Sequence, residues 1–276
     1  MLDSRSEVAA GRRFGFGANW KSFVQVMDDD RIASATASLT RALAVPDLAG
    51  RSFLDIGCGS GLFSLAAHRL GATVHSFDFD PDSVAATTAL RQRYAADGDW
   101  TVEQGSILDR AYAARLGHFD VVYSWGVLHH TGDMWKALAA AVDLTRPGGR
   151  LFVAIYNDQG PASRVWRWVK RRYNSSGRLG RMLLLGLSTM YLYRRVPLRK
   201  LLQLVMPRRF PPRPIRRGMS RSHDLVDWVG GYPFEVARPE QIFRFVRDRG
   251  FELTHLTTCG GDLGCNEFVF RRHGGD

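Results

Sequence analysis

Cysteine is scarce: the chain of 276 residues has three, Cys58, Cys259 and Cys265. They are too few and too scattered for a disulfide framework. Cys259 and Cys265, six positions apart, give an incomplete ligand pair, so no metal site is expected. This cysteine usage fits a reducing, cytoplasmic setting. A long apolar run is missing too. Met182–Tyr193 holds 12 residues, against the ~20 that a spanning helix needs. The opening "MLDSRSEVAAGRRFGFG" has acidic residues and no apolar stretch of signal-peptide length, so no export is expected. Acidic residues vanish from one segment altogether. From Gln159 to His223 there are 17 Arg or Lys and no Asp or Glu, while the other 21 basic residues face all 27 acidic ones. The net charge of +11 therefore belongs to a single region and not to the chain as a whole.

What is present is a strand–helix alternation. "SFLDIG" is apolar and glycine-bounded, a buried strand; "LFSLAAHRLG" has helical spacing and ends at Gly71. "TVHSFDF" reads as the next strand, and "PDSVAATTALRQRYAA" as a helix with Pro81 in its first turn. Strand "WTVEQG", helix "LDRAYAARLG", strand "FDVVYS", helix "MWKALAAAVDLT", turn "RPGG" and strand "RLFVAIYN" follow. Repeated βα units predict a parallel sheet covered by helices, an α/β doubly wound fold of Rossmann-like type. Such sheets bind ligands at the C-terminal ends of their strands.

The first strand runs into Gly57-Cys58-Gly59-Ser60-Gly61 and then into the first helix of the alternation, with Asp55 just ahead. Glycine admits backbone conformations closed to other residues and lets a ligand approach the main chain. A dinucleotide loop reads G-x-G-x-x-G; this one is a residue tighter. Asp55 is a poor neighbour for a phosphate and a good one for an ammonium group. Cys58 reads as a small packing residue.

At this loop the sequence resembles the class I S-adenosylmethionine-dependent methyltransferases, whose first motif is an acid followed by G-x-G-x-G: here Asp55, Gly57, Gly59 and Gly61. "HSFDFDP" resembles the family's second strand, and Asp78 matches the acid that holds the ribose hydroxyls, with Phe79 beside it. Asp80 is the better helix cap. "EQGSILD" resembles the segment lining the adenine, which implies Gly105, Ser106 and Ile107; Ser106 stands where many members have Asp. "FDVVYSWGVLHH" and "LTRPGGRLFVAIYN" resemble the fourth strand, its following segment and the fifth strand. The series covers roughly residues 50 to 157 in order. Its "GVLHH" and "IYN" details lean toward the quinone-biosynthesis branch. The resemblance implies S-adenosylmethionine as cofactor and seven strands, the seventh antiparallel in a hairpin with the sixth. Ser124 and Trp125, after the fourth strand, are expected at the cofactor, where an aromatic face favours a sulfonium cation.

Methyl transfer is an in-line displacement. The protein must align nucleophile, methyl and sulfur and exclude water. A hydroxyl nucleophile must also lose its proton, and a phenol of pKa ~10 is served by a base near ~6.5, such as histidine. His129 and His130 lie just beyond the fourth strand. In a helix they would point about 100° apart, so one is expected to serve, and His130 is favoured. His223 is a further candidate, with Asp224 or Asp227 to orient it. Tyr156 and Asn157 end the fifth strand and are expected at the substrate. Asp262 and Asn266, in and after the loop "CGGDLGCN", are expected there too.

Four regions are expected: residues 1–50 as an N-terminal helical cap, 51–157 as the cofactor-binding core, 158–237 as a basic, mainly helical insertion or lid, and 238–276 as the last helix and hairpin. In the first, Asn19 and Trp20 are placed over the cofactor; the alternative is a helix packed outside the sheet. The insertion has three readings: a plain lid with a solvated basic face, a lid resting on an anionic membrane surface, or a nucleic-acid contact. Against the last, Tyr123-Ser124-Trp125-Gly126 replaces any D/N-P-P-Y/F, and no Pro-Cys nucleophile occurs. The expectation is an O-methyltransferase of small molecules, cytoplasmic and peripheral to the membrane at most. The alternatives are an RNA-modifying methyltransferase and a catalytically silent cofactor-binding protein. The sequence leaves the oligomeric state unspecified.

Overall fold

The computed structural model describes residues 4–25, 27–194 and 221–274, without the side chains of residues 18 and 221–224. Seven strands form one sheet: β1 (Ser52–Ile56), β2 (Thr73–Asp78), β3 (Trp100–Gln104), β4 (Phe119–Trp125), β5 (Thr145–Tyr156), β6 (Phe251–Thr257) and β7 (Cys265–Arg272). Their order is β3-β2-β1-β4-β5-β7-β6. β1 to β5 are parallel, and β7 runs antiparallel to both β5 and β6. The order reverses between β1 and β4, which opens a crevice at the C-terminal ends of those two strands. The expected fold is thus present. One local expectation is corrected: "RPGG" does not precede β5 but lies within it. Thr145 pairs with Phe119 and Arg150 with Val121, so the four residues bulge between two paired stretches, with Gly148 at φ 74°.

Helices α1 (Ser4–Ala9), α2 (Gly17–Gln25), α3 (Asp29–Leu43), α4 (Leu62–Arg69), α5 (Pro81–Tyr94), α6 (Arg110–Leu116) and α7 (Met134–Asp143) surround the first strands. Their starts are written locally. Asp28, Asp80, Asp109 and Asp133 each accept a backbone N–H of the first turn, and Pro81 opens α5. In α3, Ile32, Ala35, Leu39 and Leu43 recur at helical spacing and are buried with Phe53, Leu65 and Val121. The opposite sheet face packs Leu54, Ile56 and Val122 on Leu138, Ile242 and Val246. Fully burying one such side chain contributes about 1.5–3 kcal/mol, so the two layers fix the strand ends against which the site is built.

After β5 come α8 (Pro161–Ser175), α9 (Arg178–Tyr193) and α10 (Arg221–Gly230); α11 (Pro239–Arg247) then leads into β6. α8 buries Ser163, Trp166, Lys170 and Asn174, one face at spacings of three and four. Among the described residues no helix is long and apolar enough to cross a membrane.

Candidate active site

A cavity of about 760 Å³ opens at the reversal point of the sheet, mostly apolar, with Asp55, Asp78 and the glycine loop at one end and His130, Tyr156 and Trp228 at the other. The loop's shape depends on its glycines. Gly57, Gly59 and Gly61 have φ of 76°, 56° and 78°, the left-handed region that other residues enter only with strain. A Cβ on Gly57 would lie 2.3 Å from Val127, and one on Gly59 would lie 3.0 Å from Trp20. Gly61 caps α4 and lies against Thr87 rather than in the cavity wall.

Asp55 is 3% exposed and takes a 2.5 Å hydrogen bond from Ser64 Oγ. Burial pushes its pKa up to about 7, against the pull of that bond. Among the described residues no cation is paired with Asp55, a place that an ammonium group would fill. Asp78 receives the Gly59 N–H at 3.0 Å and the Asp80 N–H at 2.9 Å, so it also pins the glycine loop. Burial raises it to about 6. Asp80 caps α5 and receives the Gly17 N–H at 3.0 Å, joining the N-terminal segment to the core. Phe79, Gly105, Ser106, Ile107, Cys58 and Trp125 complete this end of the wall. Ser106 caps its own turn by accepting the Leu108 N–H, and Trp125 Nε1 donates to Glu267 at 3.0 Å. The donor set fits a ligand with an ammonium group and a sugar diol, as S-adenosylmethionine has.

The N-terminal segment divides between its two expected places. α3 packs outside the sheet on α4, whereas Phe14, Phe16 and Trp20 line the cavity. Asn19 does not reach the wall; its Nδ2 donates to Asp227 at 2.5 Å, tying α2 to α10. Ser124 is likewise displaced from its expected role. It is fully buried, and its hydroxyl donates to the Ile56 carbonyl, bracing β4 on β1.

The two histidines sit in a 3₁₀ turn, Leu128–His130, and not in an α-helix. His129 is buried in the core, where its Nδ1 accepts the Tyr156 N–H at 3.3 Å. His130 lines the cavity. Its Nδ1 faces the Pro233 carbonyl at 2.6 Å, so Nδ1 carries the proton and Nε2 holds the lone pair. Burial, with the Lys170 charge nearby, lowers His130 to about 3, and His129 is lowered by the same causes. The expected base near 6.5 is therefore corrected: these rings are neutral throughout the physiological range. The side chains of His223 and Asp224 lie outside the described residues.

Tyr156 lines the cavity; Asn157 does not, because its Oδ1 accepts Asn266 Nδ2 at 3.0 Å. Asn266 Oδ1 in turn accepts the Cys259 N–H. The pair clasps the β5 end to the β6–β7 loop. From that loop Leu263, Gly264 and Cys265 form wall, not Asp262.

Lys170, which sequence reasoning passed over, is fully buried and donates to the Trp228 carbonyl. Its Nζ lies 4.4 Å from the Trp228 ring centroid, 4.8 Å from Phe234 and 5.7 Å from Tyr156. Burial lowers it to about 7, while Asp227 pulls it back up. On the same helix Arg167 donates to the Phe234 carbonyl and Asn174 to that of Gly230. Three side chains of α8 thus hold the 228–234 segment, which carries Trp228 and the Pro233 carbonyl. Arg13, also unforeseen, donates to the His130 and Thr131 carbonyls and to Glu7. Among the described residues no cluster of His, Cys, Asp or Glu could hold a metal.

The sheet order, the tight glycine loop and the two acids in the cleft wall are the arrangement expected from the resemblance to class I methyltransferases. Residues 54–151 match the family model described as a methyltransferase domain. Over 111 residues the chain is 37% identical to the ubiquinone biosynthesis O-methyltransferase of Xanthomonas oryzae pv. oryzae, covering 40% of this chain and 45% of that protein. The chain thus spans less than half the length of this curated relative. The magnesium protoporphyrin IX methyltransferase of Synechocystis PCC 6803, solved with bound SAH, shares the fold at TM-score 0.51 and 16% identity, over 87% of this chain and 83% of that one. The [4+2]-cyclase SpnF shares it equally, at TM-score 0.53 and 13% identity, over 87% and 80%. The match to a methyltransferase domain thus runs from within β1 to within β5.

Proposed function

We propose that the protein transfers a methyl group from S-adenosylmethionine to a hydroxyl oxygen of a small-molecule acceptor. The observation that carries this is Asp55, a buried carboxylate with no cation paired to it among the described residues, set behind a left-handed glycine loop in the same cavity as a neutral histidine. Asp55 receives the cofactor ammonium, Asp78 the ribose hydroxyls, and Trp20, Phe79 and Ile107 enclose the remainder. When bound, the cofactor supplies a methyl carbon activated by positive sulfur. The chain's residues then align and dry the acceptor, with Phe14, Phe16, Tyr156 and Trp228 as the apolar enclosure. His130 accepts the acceptor's hydroxyl hydrogen at Nε2, held in that tautomer by the Pro233 carbonyl. A ring this weakly basic orients and receives a proton only from an acidic hydroxyl, so phenols and enols are favoured over simple alcohols. Calorimetry tests the reading: S-adenosylmethionine binds and NAD does not. No heat of binding with S-adenosylmethionine would sink it.

A second observation favours a membrane-resting lid over residues 158–237. Leu179, Met182, Leu183, Leu187 and Met190 are 51–82% exposed on one side of α9, and Arg164, Arg171, Arg172, Arg178 and Arg181 are exposed around them on α8 and α9. Leu192, at the end of α9, lines the cavity. Trp166, on α8, is by contrast buried against Trp228, and Leu201, Leu202 and Val205 lie outside the described residues. Each Arg near an anionic surface contributes about 1 kcal/mol. Co-sedimentation with anionic but not neutral vesicles is the expected result. Salt-sensitive RNA binding without vesicle binding would favour the RNA-modifying alternative.

A further inference from the structure

Behind Asp55 runs a chain of buried polar groups with no counterpart elsewhere in the reading of the site. Asp55 stands on β1, directly in register with Ser76 on β2. Ser64 Oγ, from α4, donates to Asp55 Oδ2 at 2.5 Å. Ser64 Oγ and Ser76 Oγ are 2.7 Å apart. The indole Nε1 of Trp100, the first residue of β3, donates to Ser76 Oγ at 2.8 Å. Ser64 and Ser76 are fully buried, and Trp100 is 3% exposed. Four elements thus contribute one link each to a line that ends on the carboxylate.

The far end of the line fixes its direction. An indole N–H only donates, so Ser76 Oγ must accept from Trp100. The Ser76 hydroxyl hydrogen is then free for Ser64 Oγ, and the Ser64 hydrogen for Asp55. Every link has one donor and one acceptor, as buried groups require. Protonating Asp55 weakens or reverses that pattern: a proton on Oδ1 leaves Oδ2 an uncharged, poorer acceptor for Ser64, and a proton on Oδ2 turns the line around. A carboxylic acid donating to Ser64 would turn the Ser64 hydroxyl toward Ser76, which would then face two donors and leave its own hydrogen unplaced along the line. The arrangement suits the ionised carboxylate and penalises the acid.

We infer that Trp100, Ser76 and Ser64 form a one-way hydrogen-bond relay that holds Asp55 as an oriented carboxylate, which makes the two serines positioning residues for the cofactor's ammonium group. The inference rests on the proposed role of Asp55 in cofactor binding. The relay opposes what the surroundings do. Burial is the largest influence, Asp78 at the end of β2 also disfavours a second negative charge, and Tyr123 stands beside Asp55 in register on β4. The Ser64 hydrogen bond, the last step of the relay, pulls the other way.

The test is S-adenosylmethionine affinity by calorimetry, from about pH 5.5 to about pH 8.5, for the wild type, Ser64→Ala, Ser76→Ala and Ser64→Thr. Wild-type affinity falls by up to tenfold per pH unit below the Asp55 transition. Ser64→Ala moves that fall to higher pH, so at neutral pH it binds roughly 5- to 10-fold more weakly, with the curves converging in alkali. Ser76→Ala shifts the curve the same way by less, and Ser64→Thr, which keeps the hydroxyl, restores it. A loss of affinity that is the same at every pH would mean the serines only pack, and it would overturn the relay, as would unchanged curves. A second readout needs neither variant nor cofactor. The Trp100 indole N–H resonance of the wild type shifts with the titration of Asp55. A wild type that binds no S-adenosylmethionine removes the cofactor reading, but the indole resonance still decides the relay; an indole signal that ignores pH refutes it.

Discussion

Replacing Lys170 with Met tests the most unusual charge in the molecule. Lys170 is one of four lysines in the chain, fully buried among Tyr156, Trp228 and Phe234. Its pKa falls from 10.5 to about 7, chiefly by desolvation. The sign follows from proton counting. Below about pH 7 the lysine is charged in both the folded and the unfolded chain, and it adds no slope. Between about 7 and 10.5 the unfolded chain holds the proton and the native state does not. Stability then rises with pH by up to about 1.4 kcal/mol per unit. From about pH 6.5 to about pH 9 this amounts to about 2.5 kcal/mol that Lys170→Met lacks. Urea denaturation of both proteins at the two pH values measures it. The wild type should gain about 2.5 kcal/mol on the variant as pH rises. Lys170→Gln, which keeps a donor for the Trp228 carbonyl without the charge, should lose the same slope. Stability curves that run parallel for wild type and both variants would mean that Lys170 reaches water, and the account of the buried charge would fail.

Four further outcomes rest on the site. Gly57→Ala places a Cβ at φ 76° and 2.3 Å from Val127, so cofactor binding should be lost, and Gly57→Ala with Val127→Ala should recover only the part due to the clash; calorimetry separates the two. Asp78→Ala should weaken S-adenosylmethionine binding by about 1–3 kcal/mol, because it also releases the Gly59 and Asp80 N–H groups, each accepted by a different carboxylate oxygen. His130→Ala should lower release of S-adenosylhomocysteine with a panel of phenolic acceptors by roughly 10²-fold while leaving cofactor affinity alone; equal turnover would take His130 out of the mechanism. Activity of the wild type should fall as pH drops through about 7, where Asp55 gains its proton, and His130, at about 3, should add no inflection near pH 6.5.

The core was legible because its signals are local. An apolar run bounded by glycine, a glycine that must turn left and an aspartate before a proline each state their structure within a few residues. The spacing from Asp55 to Asp78 then follows from one strand–helix–strand passage. The misplacements share one cause. Ser124, Asn157 and Asn266 sit at strand ends, as expected, but strand position does not say which face a side chain takes or which neighbour claims it. Ser124 is claimed by the Ile56 carbonyl, and the two asparagines claim each other. The basicity expected of His130 differs for a related reason. A side chain's chemistry was assigned from its type, whereas its pKa depends on burial, which only the assembled fold sets.

Lys170 shows where sequence reading of charge stops. In a segment with 17 basic residues and no acid, every charge looks alike, and the segment reads as a solvated or lipid-facing surface. Yet α8 divides its charges by helical phase. Arg164, Arg171 and Arg172 face outward, while Lys170 shares the inward face with Ser163, Trp166 and Asn174. That face was available as a periodicity, since Trp166, Lys170 and Asn174 are spaced by four. What hid it is the habit of treating lysine as a surface residue at an otherwise apolar phase. The inward lysine is tolerable because a carbonyl at the end of α10 and three aromatic faces replace its water. The insertion therefore serves two surfaces at once: its outward arginines and leucines form the face that the vesicle experiment addresses, and its inward Lys170 and Asn174, with the exposed Arg167, fasten the segment that orients His130.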